Sequence, residues 1–115
     1  MQSDKIICEA CLPDAKKVST ATLEDFLKRN TNWELLDDND VQKLSKCYNF
    51  ANFVEAQHFT NTVAEMAEIE GHHPTIILEY GLVTVKWWSQ KIKGLHENDI
   101  MLSKKTDNLY IGLSR

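Results

Sequence analysis

The residues best placed by type to move protons at neutral pH are the four histidines of this 115-residue chain, and two of them are adjacent, in Glu68-x-x-x-His72-His73-Pro74. An imidazole titrates near neutrality without special tuning, and with so few histidines each position can be weighed individually. Glu68 lies four residues before His72. On a persisting helical turn the two share a face, and the carboxylate can fix the tautomer of the ring or raise its pKa. Pro74 restricts His73 to extended backbone and ends the helix there, which leaves both rings at an element boundary where side chains project into a cleft. A polar helix terminus with a histidine near its cap is the simpler account of the same residues. Asp99 is equally two-sided. With His96 as the cap it falls at the third helical position, where a carboxylate closes a reciprocal capping interaction, while Leu95 and Ile100 form a hydrophobic staple. His58, beside Phe59 in the middle of a helical pattern, reads as surface or core filler.

Cys8 and Cys11 have the spacing of half a zinc site or of a redox dithiol. A tetrahedral zinc needs four ligands, and the one other cysteine, Cys47, falls far along the chain in a strand pattern, so no metal is expected. Glycine-rich phosphate loops and a nucleophile elbow are missing, which removes the motifs of phosphoryl transfer and serine-type acyl transfer. Thirteen Lys+Arg against 17 Asp+Glu give a net charge of -4, which disfavours an electrostatic hold on nucleic acid or an anionic membrane. No apolar run approaches the roughly 18 residues of a spanning helix, and Met1 to Ile7 lack the layout of a signal peptide. Three cysteines, an odd number, point to reduced thiols. The expectation is a soluble, cytoplasmic protein.

These groups need elements to position them. Ser19 to Arg29 carries Leu23, Phe26 and Leu27 on one helical face behind Ser and Thr cap candidates. Trp33 and Leu35 alternate with polar neighbours, Asp37-Asp38-Asn39-Asp40 supplies turn chemistry, and Leu44, Lys46, Tyr48 and Phe50 alternate again, predicting a hairpin. Between Ala51 and Glu70 the period becomes helical, and Gly71 is placed to end that helix. Thr75 to Tyr80 and Leu82 to Ser89, joined through Gly81, make a second hairpin with Val83, Val85 and Trp87 on one face and Thr84, Lys86 and Trp88 on the other. Trp87 and Trp88 therefore divide between core and a pocket or interface. Ile100, Leu102, Leu109, Tyr110 and Leu113 fit a last helix. The fold class is α+β, in the order α-β-β-α-β-β-α, with one four-stranded antiparallel sheet covered on one face by helices. Residues 1–17 read as a flexible arm and 18–115 as a single domain. Strand order within the sheet does not follow from the pattern.

Taken together, Glu68-x-x-x-His72-His73-Pro74, the five residues to Tyr80, and Gly94-Leu95-His96-Glu97-Asn98-Asp99 resemble the signature of the pterin-4a-carbinolamine dehydratase family. The likeness runs from about Ser19 to Tyr110 through Trp33 and Leu44-x-Lys46-x-Tyr48-x-Phe50-x-x-Phe53, and Cys8-Glu9-Ala10-Cys11 resembles the arm of some bacterial members. The resemblance implies a lyase that removes water from a 4a-hydroxytetrahydropterin, giving the quinonoid dihydropterin in the recycling of tetrahydrobiopterin for aromatic amino-acid hydroxylases. It implies no cofactor besides that substrate, and a homodimer or homotetramer. In the family the first histidine of the pair and a third histidine at the end of the fourth strand are the usual acid and base, with the second of the pair holding the pterin. Here His72 and His73 match, as do Glu68 and Asp99, while Gln90 stands where the family most often has the third histidine. An amide exchanges hydrogen bonds but not protons in this range. On the resemblance, His72, His73 and Gln90 make the reacting end of the site, Gln90 as a hydrogen-bonding group, and Glu68, Trp88, Ser89 and Asp99 contact substrate. The same departure keeps open a weakly active or inactive pterin-binding or dimerisation module on this fold.

Overall fold

The computed structural model describes residues 15–113. Three helices and four strands follow one another as α1 (Thr20–Arg29), β1 (Glu34–Asp38), β2 (Val41–Asn49), α2 (Phe53–Glu70), β3 (Thr75–Glu79), β4 (Leu82–Trp87) and α3 (Glu97–Leu113). The element order and the antiparallel sheet are those expected. Ser19 caps α1 by accepting from the Thr22 N–H at 3.1 Å, and Asn52 caps α2 by accepting from the Glu55 N–H at 2.9 Å.

The strands lie in the order β1-β2-β4-β3, so the two hairpins join through their inner strands, β2 against β4. Both hairpin turns are two residues long and take positive φ, at Asn39 and Asp40 in the first and at Gly81 in the second. Gly81 has a second constraint: a Cβ there would stand 2.8 Å from the backbone oxygen of Phe50. Register puts Leu44 opposite Trp87, Lys46 opposite Val85 and Tyr48 opposite Val83. That face carries the core, where Trp87, Val85, Val83, Leu44 and Tyr48 pack against Phe59 and Val63 of α2 and Leu102 of α3. Burial of these side chains is the main stabilising term, at about 1.5–3 kcal/mol for each large one. No helix among the described residues is long and apolar enough to cross a membrane.

A polar node sits inside this apolar layer. Asp107 on α3 accepts from Trp33 Nε1 at 3.0 Å, from Lys46 Nζ at 2.7 Å and from the Tyr48 hydroxyl at 2.7 Å, tying α3 to β2 and to the segment before β1. Lys46 thus occupies a core-facing position of β2 because its charge has a partner and its stem lies beside the Trp33 and Tyr48 rings. Burial first, and then the Asp107 hydrogen bond and charge, push the Tyr48 phenol well above its ordinary value of 10.0. A tyrosine whose folded pKa is raised contributes stability that is present below about pH 10 and lost as pH rises past it, because only the unfolded chain then ionises. Tyr48→Phe is expected to cost about 1 kcal/mol at neutral pH, and the gap between the two proteins in urea unfolding should narrow above about pH 10.

Before α1 the backbone is irregular but anchored, since the Val18 N–H donates to the Leu95 carbonyl at 2.7 Å. Contact with the domain is therefore already made at the arm boundary expected after Lys17. The earlier part of that arm, with Cys8 and Cys11, lies outside the described residues.

Candidate functional site

The end of α2 separates the two adjacent histidines. Gly71 adopts the left-handed conformation (φ 71°), its N–H donates to the Glu68 carbonyl, and the next N–H, of His72, donates to the Ala67 carbonyl at 3.2 Å. This turn directs His72 inward, where 5% of it is exposed, while His73, just before Pro74, keeps 61% of its side chain in solvent. The His72 ring stacks on Trp87, with centroids 5.9 Å apart and planes 12° from parallel.

His72 Nε2 lies 2.7 Å from Asp99 Oδ1. The other oxygen of Asp99 accepts from the Ser89 hydroxyl at 2.6 Å and from the His96 N–H at 2.9 Å, and the Asp99 side chain is wholly buried. In return His96 Nδ1 accepts from the Asn98 N–H at 3.0 Å. The capping interaction foreseen from the spacing is present, with histidine as the cap residue and aspartate at the third helical position. It does more than start α3, because the same carboxylate reaches the end of α2. Two neutral donors bond to one of its oxygens, and the other orients the His72 ring.

Glu68 does not pair with His72 as its spacing suggested. The left-handed turn at Gly71 takes His72 off the helix face of Glu68, and the carboxylate meets His73 instead, Oε2 to Nε2 at 2.6 Å. Both partners are more than half exposed, so solvent screens this pair, and it contributes at most about 1 kcal/mol. Ser89 and Asp99, expected to contact substrate, are both at least 99% buried, and they stand behind His72. Gln90 is exposed in the turn of residues 90–93, which the antiparallel Ser89–Gly94 bridge closes. Trp88 is not brought to this group. Strand alternation places it on the opposite side of the sheet from Trp87, half-buried under the Lys43 ammonium at 4.1 Å from the ring centroid. His58 is exposed on α2 and lines a groove of about 700 Å³ with Phe50, Val54 and Tyr110, which shares no lining residue with the His72 group.

The His72–Asp99 bond was not read from the sequence, and neither were two further features: the Ser89–Asp99 link and the Asp107 node. A signal for both existed in α3, where Asp99, Ser103, Thr106 and Asp107 recur at helical spacing toward the buried side. Thr106 is satisfied there by the Trp87 indole N–H at 3.0 Å. Among the described residues no group of three or more His, Cys, Asp or Glu is placed to hold a metal ion.

Residues 16–109 match the family model described as pterin 4 alpha carbinolamine dehydratase. A protein of Nitrosococcus oceani is 47% identical over 102 residues, covering 89% of this chain and 90% of its own, and one of Marinobacter nauticus is 48% identical over 103 residues, covering 90% and 93%. Both carry the name "putative pterin-4-alpha-carbinolamine dehydratase". The crystal structure of a transcriptional coactivator/pterin dehydratase from Brucella melitensis superposes with a TM-score of 0.74 at 22% identity, covering 83% of this chain and 99% of that one. A pterin dehydratase-like protein identified as a RuBisCO assembly factor in the alpha-carboxysome shares the fold at a TM-score of 0.59 and 19% identity, covering 69% and 89%.

Proposed function

The chain belongs to the pterin 4 alpha carbinolamine dehydratase family, and from that membership we propose that it dehydrates a 4a-hydroxytetrahydropterin to the quinonoid dihydropterin. The observation that carries the reading is the buried Asp99–His72 pair, backed by Ser89, next in sequence to the exposed His73–Glu68 pair. One pair holds a proton in a fixed place; the other presents a polar face to solvent and ligand.

The reaction breaks the C4a–O bond, releases the hydroxyl as water and removes the proton from N5 as the C4a=N5 bond forms. One proton is given and one recovered, so the protein ends as it began. A single imidazole can serve both halves in turn, donating to the departing hydroxyl and then accepting from N5. His72 takes this role, with Asp99 stabilising its imidazolium and holding the ring, as a buried carboxylate does behind other catalytic histidines. His73, with Glu68, positions the pterin. Gln90 supplies hydrogen bonds at the rim. The protein works in the cytoplasm as a homodimer or homotetramer, its product passing to a reductase and its substrate arising from an aromatic amino-acid hydroxylase. Acceleration of the decay of a 4a-hydroxytetrahydropterin, followed by stopped-flow absorbance, tests the activity.

A second reading, a pterin-binding module with little turnover, is favoured by Gln90 alone. Gln90→His separates the two. With an active natural protein, the substitution is expected to change kcat by less than about tenfold; a rise of about 10² or more from a near-zero baseline makes the natural protein a binder.

A further inference from the structure

The segment before α1 and the turn before α3 meet beside Gln90, and lysines gather where they do. The Val18 hydrogen bond to Leu95 lays the amino-terminal segment along the approach to α3. The stem of Lys17 then covers Gly94: a Cβ on that glycine would lie 3.1 Å from Lys17 Cε and 3.7 Å from Nζ. Lys16 precedes it, and Lys91 and Lys93 stand in the turn that the Ser89–Gly94 bridge closes. All four are exposed, and among the described residues none has a carboxylate partner, in contrast to Lys43, Lys46 and Lys105, which are paired with Asp38, Asp107 and Glu70. The one carboxylate in residues 89–98 is Glu97, at the start of α3. A chain of net charge -4 thus places, among the described residues, four lysines and one glutamate at or beside the turn that holds Gln90.

Resting on the dehydratase reading, we propose that this rim selects pterins whose side chain bears a negative charge, a phosphate or a carboxylate. A neutral polyol side chain gives the ammonium groups nothing to neutralise, whereas an anionic one enters a local positive field that also speeds its encounter with the site. The lysines contact the substituent and leave the reacting atoms to His72 and His73.

The test compares binding of 6-hydroxymethylpterin, its phosphate monoester and 6-carboxypterin by calorimetry, in the natural protein and in Lys17→Met/Lys93→Met, which removes two charges and keeps the apolar stems. The natural protein is expected to bind the two anionic pterins about tenfold more tightly than the neutral one at low ionic strength. That advantage should fall to within about twofold near 1 M salt, where screening acts over ~3 Å. In the double variant the ratio should approach one at any salt. A preference for the phosphate alone assigns the rim to phosphate esters, and an equal preference assigns it to negative charge as such. Equal affinity for charged and neutral pterins overturns the inference, as does a preference that the double variant retains. If both classes bind equally while the neutral 4a-adduct is still dehydrated, only the lysine inference falls. If no pterin binds, the dehydratase reading falls with it.

Discussion

His72→Gln is expected to lower the enzyme-dependent rate of dehydration by about 10²- to 10⁴-fold, the usual contribution of a general acid-base group. Glutamine is more informative here than alanine. His72 is buried against Trp87 and bonded to Asp99, so His72→Ala opens a cavity and leaves a buried carboxylate oxygen without a partner. Each of those effects costs about 1–3 kcal/mol, and lost activity would then be confounded with lost fold. A glutamine amide can still donate to Asp99 but does not exchange a proton near neutral pH. The expected pattern is a protein that unfolds cooperatively near the natural midpoint, binds pterin, and decays its substrate at close to the buffer rate. His73→Ala should behave differently, raising KM with a smaller change in kcat, because that ring is exposed and its proposed role is to position the pterin. Should the kcat loss belong to His73 and not to His72, the two roles exchange.

The second large effect is on stability. Asp99→Ala is expected to destabilise the protein by about 3–5 kcal/mol, since it removes the carboxylate that faces His72 Nε2, the Ser89 hydroxyl and the His96 N–H, the first two of them buried. It also removes the first-turn carboxylate of α3 and its capping bond, worth about 1 kcal/mol of that total. For a chain of this length the melting temperature should fall by roughly 10 °C or more. Asp99→Asn keeps the shape and one acceptor, so its cost should be nearer 1–2 kcal/mol, while on the proposed mechanism its activity should still drop, because a neutral amide replaces the carboxylate that faces His72. Chemical unfolding and stopped-flow rates on the same two proteins separate these outcomes. An Asp99→Ala protein as stable as the natural one would show that the capping and histidine contacts carry little weight.

The elements were legible because each has a periodic core-facing stripe and a punctuating residue. Leu44, Tyr48, Val83, Val85 and Trp87 alternate as a half-buried sheet must, and Gly71 ends α2 in the conformation that glycine permits most cheaply. The capping pair His96 and Asp99 was equally readable, since it depends on a local spacing of three residues. What escaped was long-range. Spacing of four suggested Glu68 with His72, but a single left-handed residue at the helix end re-aimed both histidines and gave Asp99, 27 residues away, the role assigned to Glu68. The link from Ser89 to Asp99, and the three donors converging on Asp107, likewise join residues whose only sequence trace is a polar side chain on the buried side of α3. Trp88 was correctly assigned to the face opposite Trp87 by alternation, and for that reason does not join His72.

The central claim is that this chain turns over a 4a-hydroxytetrahydropterin through His72. Its most direct test generates that adduct in a stopped-flow instrument and follows its conversion to the quinonoid dihydropterin at increasing protein concentration, across pH 6 to 9. The adduct also loses water unaided, so the signal is the increment above the buffer rate. An increment proportional to protein, absent in His72→Gln, is the predicted result. A decay that stays at the buffer rate at every protein concentration, or that His72→Gln accelerates as well as the natural protein does, contradicts it.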